Sequence, residues 1–328
     1  MLKANTRSNI LFIFSLFMAC IEVLSQEIVY SNKTCHARGI VTRGKFIYVS
    51  TNTSKVFKIN PSNGKSKEIV LYREEKPGEF RDIEFSNGNM LVMESGDEGF
   101  IYLNNKAIPF PKVFLDGMSF HKNTGFLMGD QVNNCLSIYY TTDSGRNWLP
   151  CEGKIKASEN ENGFAASGTT VHCMNDSTFM FVSGGGASNF YKSTDKGKTW
   201  IKSPIPFIHS ESSGPFSMIC TTENEIVVIG GDYKKPNDST STCFISKNGG
   251  KDWISPKTSP NGYRSCIIYH NGVYFSCGTN GLDYSLDDAT NWKSFNKKSY
   301  FALSIYKNYL VATTPNSSIE LFNLTFFN

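Results

Sequence analysis

Metal-ligand spacing is missing from this 328-residue chain: it has no CxxC pair, no HxxxH pair, and only five scattered histidines. Those spacings are what hold a zinc-type ion, so no metal is expected. Runs of like charge are missing too. The formal net charge is +4 without a lysine- or arginine-rich block, which gives no footing for nucleic acid or an anionic membrane as partner. Long apolar stretches are confined to the start, where Lys3 and Arg7 precede the run from Ile10 to Ile21 and then Val23-Leu24-Ser25. That run is too short to span a bilayer, and the order basic, apolar, small is that of an export signal. Residues 1–25 are therefore expected to be a cleaved signal, with no transmembrane segment and a secreted or periplasmic location. Acylation of Cys20 as a lipoprotein is the weaker alternative, because Phe17-Met18-Ala19 fits poorly before such a cysteine.

A dinucleotide fingerprint is also lacking. The glycine run SGGGAS (183–188) closes a strand and opens no helix, so no cofactor is expected. Beyond Cys20 the chain has cysteines at 35, 135, 151, 173, 220, 243, 266 and 277. An even number in an exported chain permits disulfides without establishing them. Cys135 and Cys151 lie eight residues either side of Asp143, where a hairpin would let them face each other and bridge.

What is present is a repeat. TTDSGRNW (141–148), STDKGKTW (193–200), SKNGGKDW (246–253) and SLDDATNW (285–292) follow one pattern, Ser/Thr-x-Asp-x-Gly-x-x-Trp. Asp and Ser/Thr side chains bond to turn backbone, Gly accepts a positive φ, and Trp buries a broad apolar surface. Asp143 with Trp148, Asp195 with Trp200, Asn248 with Trp253 and Asp287 with Trp292 fill these roles, Asn248 replacing Asp and Ala289 replacing Gly. Losses of that kind suit a structural turn that tolerates drift. The pattern is the Asp-box, which joins outer strands of a propeller blade, and its repetition points to radial repetition.

Seven longer units carry the boxes between them: short apolar strand, polar turn, then a stronger strand ending in Gly or Ser. FRDIEFSNGNMLVMES (80–95), LDGMSFHKNTGFLMGD (115–130) and YRSCIIYHNGVYFSCG (263–278) are the clearest. Units beginning at His36, Ser167, Phe216 and Tyr300 follow the same plan. The spacing predicts an all-β, seven-bladed propeller occupying residues 26–328 as a single domain, with EIVYSN (27–32) supplying the last outer strand. Aligning the units puts Arg38, Arg81, Asp116, Gly168, Ser217, Arg264 and Phe301 in one ring at a channel mouth. Converging arginines need an anionic ligand or internal carboxylates, with Asp82, Asp116 and Glu161 as the expected partners.

The order of ARGI, FRDIEF, LDGMSF, VVIGGD and GTNGLDYS with interleaved boxes resembles secreted bacterial propellers of the photosystem II stability/assembly factor type, from about residue 36 to 295. These sit in the Asp-box (BNR-repeat) superfamily with sialidases, xyloglucanases and sortilins. The resemblance implies a non-catalytic protein whose arginine-rich face docks a partner, carried here by Arg38, Arg81 and Arg264. The rival expectation is a glycoside hydrolase of sialidase type. There the three arginines would clamp a carboxylate, and Tyr263 or Tyr300 with Glu161, Asp82 or Asp116 would do the chemistry. Two-carboxylate chemistry on Asp82 and Glu161 is its variant.

Overall fold

A computed structural model describes residues 25–71 and 78–327. The expected signal, apart from Ser25, lies outside these residues. Alternation of apolar residues produces strands throughout, and no helix among the described residues is long and apolar enough to cross a membrane. The strands form seven antiparallel sheets that follow one another along the chain. Their innermost strands are Ala37–Arg43, Glu79–Ser86, Leu115–His121, Val171–Cys173, Ser213–Cys220, Cys266–His270 and Leu303–Tyr306. This is a seven-bladed β-propeller, and we number the blades in that order.

Turn chemistry sets the inner hairpins. Asn87-Gly88 and Asn271-Gly272 each hold positive φ at both positions, the backbone a two-residue turn needs to match strand twist. Ser86 therefore faces Asn89, and His270 faces Val273. Both faces of each blade are apolar because each packs on two neighbours. Between blades 1 and 2 lie Val56, Phe80, Ile83, Val92 and Tyr102, and between blades 3 and 4 lie Phe126, Met128, Phe179 and Phe181. Equivalent clusters fill the other interfaces, so the core is a circle of wedges around a channel.

The four repeated turns act at the rim. Thr141 Oγ1 donates to Asp143 Oδ1 at 2.8 Å, and the Gly145 and Asn147 amides close the loop. Ser193–Asp195–Thr199 and Ser285–Asp287–Asn291 repeat this arrangement. In the third turn the polarity is exchanged: Asn248 Nδ2 donates to Asp252 Oδ2 at 2.8 Å, where Asn147 Nδ2 donates to Asp143. The tryptophans reach to the preceding blade: Trp148 packs on Phe110, Trp200 on Phe126, and Trp253 on Phe190. Trp292 does the same against Cys243 and Ile245. Ala289, at the glycine position of the fourth turn, takes φ +60° itself.

Closure uses both ends of the described chain. Ser25–Val29 pairs antiparallel with Ser318–Asn323 as the outer strand of blade 7. Blade 5 has three strands where its neighbours have four or more. The expected Cys135–Cys151 bridge is not formed, and all eight cysteines from Cys35 to Cys277 are free thiols. Equal spacing about Asp143 misreads the register: the Cys151 amide donates to Ile138, while Cys135 faces Lys156.

Candidate functional site: the channel mouth

A repeated backbone irregularity builds the mouth. In blade 1 the ladder passes from Ala37 to Gly39 and leaves Arg38 unpaired. Blade 2 skips Arg81, blade 3 skips Asp116, and blade 5 skips Phe216. In blade 7 the amide of Phe301 donates to Thr313 while Thr313 donates to Ala302, so Phe301 is the extra residue there. In blade 6 Ser265 and Cys266 both face Cys277. A bulge turns its extra side chain out of the pleat, and these six side chains all line one cavity of about 390 Å³. In blade 4 the segment from Gly163 to Ala166 crosses the mouth instead.

The mouth has a charged half and an aromatic half. Arg38 lies over the Phe301 ring at 4.7 Å, and its Nε is buried without a hydrogen-bond partner. Burial, then the neighbouring Arg81, moves the Arg38 pKa down from its ordinary value. Arg81 donates to Ala165 O at 2.9 Å and pairs with Glu79 at 2.7 Å, leaving its own Nε buried and unpartnered. Opposite, Phe164 stacks on Phe216 with centroids 3.9 Å apart, and Tyr263 meets Phe216 edge-on at 4.8 Å.

Acids sit beside and below the arginines. Asp116 is buried with neither carboxyl oxygen hydrogen-bonded, and burial, then the charge of Asp130, raises its pKa well above the usual range. Asp130, itself skipped in the ladder between Gly129 and Gln131, is raised by burial to about 6, although the Gly163 amide donates to it at 3.1 Å. Deeper in, Asp82 accepts from the Ile83 and Met118 amides at 2.7 and 2.9 Å. Burial raises Asp82 to about 7, and burial with Asp82 alongside raises Glu84 to about 8.

Thus Arg38, Arg81 and Asp116 meet at the mouth, with Asp82 in the channel beneath. Arg264 and Glu161 are elsewhere, which corrects the expected ring. Arg264 is wholly buried: its Nε donates to Asp283 Oδ2 at 2.8 Å, and Nη1 donates to Tyr263 O at 2.8 Å. It is one residue out of register, since Ser265 occupies the bulge. Glu161 is wholly buried in blade 4 and accepts from Ser183, Asn189 and Tyr191. Burial would raise its pKa, but these bonds and the Ser158 amide hold it at about 2. Tyr263 lines the mouth, whereas Tyr300 is buried and donates to Glu320 at 2.9 Å. Glu84 and Asp130 carried no signal that sequence reasoning picked up. Phe216 carried one signal, its place at the opening of unit five, that could have been followed, whereas Phe164 lies three residues before unit four.

Comparison with known proteins supports the architecture. The family described as "Sortilin, neurotensin receptor 3" matches residues 136–268. Virginiamycin B lyase from Staphylococcus aureus superposes with a TM-score of 0.67 at 14% identity, over 92% of this chain and 99% of that one. YCF48 from Cyanidioschyzon merolae gives 0.63 at 11% identity, over 91% and 98%. U3-55K gives 0.64 at 9% identity, over 91% and 98%. At such identities the likeness is one of fold. No curated protein matches the sequence.

Proposed function

We propose that this chain is an exported, non-catalytic binding propeller of the Asp-box type, comparable to the assembly-factor group, whose mouth receives an anionic group of a ligand or partner protein. The carrying observation is the Arg38 guanidinium, bulged into the cavity with a buried, unpartnered Nε. A buried donor without an acceptor costs free energy, and an incoming oxyanion removes that cost. Arg81 stands beside it with a second such Nε. The partial family match, to proteins described as a receptor, agrees with binding as the role.

The hydrolase reading fits the geometry less well. With Arg264 locked on Asp283, two arginines remain where a three-arginine clamp was expected. Glu161 has its acceptor capacity filled by its own blade.

The test pairs two assays on the mature protein and on Arg81→Met. Fluorogenic glycosides, sialosides included, are expected to give no turnover, while oligo-aspartate peptides bind the native protein and bind the variant more weakly. Turnover that disappears in Arg81→Met would replace binding with catalysis at the mouth.

A further inference from the structure

Resting on the binding reading above, we propose that the mouth takes a small monocarboxylic acid with an aromatic or apolar body. Its carboxylate would lie on Arg38 and Arg81, and its body against Phe164, Phe216 and Tyr263. Two features of the cavity select this chemistry. The first is the division of the wall. Blades 1 and 2 supply guanidinium groups whose Nε donors lack partners, while blades 4 to 6 supply a stacked and edge-on aromatic surface. A ligand that is only an anion leaves the aromatic half wet, and one that is only apolar leaves the donors unmet.

The second is charge count. Arg81 already has Glu79 at 2.7 Å, while burial disfavours the charged form of Asp116 on the same wall. That leaves roughly one uncompensated cation, Arg38, which suits a monoanion and disfavours a dianion such as a phosphate monoester. The volume, about 390 Å³, is near the low end for small-molecule sites, roughly 300–1,000 Å³. It accommodates a single ring with a short acid chain.

Calorimetric titration tests this with 3-phenylpropionate, its amide, phenyl phosphate, acetate and a Gly-Gly-Phe tripeptide with a free carboxylate. The native chain is compared with Arg38→Met and Phe164→Ala, each first checked for an unchanged melting temperature. Phenylpropionate should bind best. Loss of the charge, in the amide or in Arg38→Met, should weaken binding about tenfold or more, and Phe164→Ala should weaken it about threefold. The amide binding as well as the acid, or phenyl phosphate or the tripeptide binding more tightly, would overturn the assignment. If phenylpropionate fails while oligo-aspartate binding still needs Arg38, this inference falls and the binding-propeller reading stands. If no anion depends on Arg38, both fall.

Discussion

Replacing Arg264 with Met should unfold the molecule at a clearly lower temperature, and the size of the drop follows from what the side chain leaves behind. Arg264 and Asp283 are both wholly inaccessible, and Asp283 also accepts from the backbone amide and side chain of Asn261. Met fills much of the Arg stem's volume but abandons a buried carboxylate, which costs about 3–5 kcal/mol. With an unfolding entropy near 2.1 cal/mol/K per residue and about 300 ordered residues, each degree corresponds to about 0.6 kcal/mol. Melting by circular dichroism should therefore fall by about 5–8 °C. Adding Asp283→Leu should recover part of it, because an apolar pair replaces the ionic one, though Asn261 then lacks its acceptor. Arg38→Met is the contrast. Its stacking on Phe301 is worth about 0.5–1 kcal/mol and is offset by relief from Arg81, so melting should move by about 1 °C at most. An unchanged melting temperature for Arg264→Met, or a large fall for Arg38→Met, would refute this division between a structural and a ligand-facing arginine.

Three further outcomes follow from the geometry. Asp82 and Glu84 have folded pKa values raised to about 7 and about 8, so their stabilising contribution is complete below their unfolded values and is lost as pH rises through these figures. Glu161, held at about 2, works in the opposite direction, and its contribution is lost as pH falls below the ordinary carboxylate range. A melting profile against pH should peak within the ordinary carboxylate range, at about 4 to 4.5, and fall from there toward neutral pH, and Asp82→Asn with Glu84→Gln should flatten the alkaline side. Gly39→Ala should cost about 1–3 kcal/mol, because an added Cβ would lie 2.8 Å from the Asp82 backbone of the next blade; chemical denaturation reads this directly. Asn248→Asp should destabilise by setting two carboxylates together, and the exchanged pair Asn248→Asp with Asp252→Asn should restore the native midpoint.

The propeller was legible because its signals are local and repeated: the four turns, the Asn-Gly hairpins, and the strand–turn–strand units. The ring at the mouth was legible in part. Arg38, Arg81, Asp116 and Phe301 were aligned correctly, whereas Ser217 and Arg264 stood one place from Phe216 and Ser265. Inner strands are apolar on both faces, so alternation does not fix which residue points inward, and a slip of one reverses every side chain. A bulge adds just such a slip and leaves no mark in the sequence. Glu161 misled for a different reason. An acid in a polar stretch such as SENENG (158–163) reads the same whether it faces solvent or four donors of its own blade.

Ring closure sets an order of events during synthesis. Glu27 and Ile28 find their partners only in Glu320 and Ile319, and Ser318 bonds Glu27 across 291 positions. Blades 2 to 6 are assembled from neighbouring stretches of chain and can pair as they emerge. The strand Ser25–Val29 must wait unpaired until Ser318–Asn323 has been made, and a contact between such distant segments is slow to find. Throughout that interval the edges of Ser25–Val29 are open to any other extended strand. A helper that shields this strand would raise the yield of closed rings, without changing their final stability.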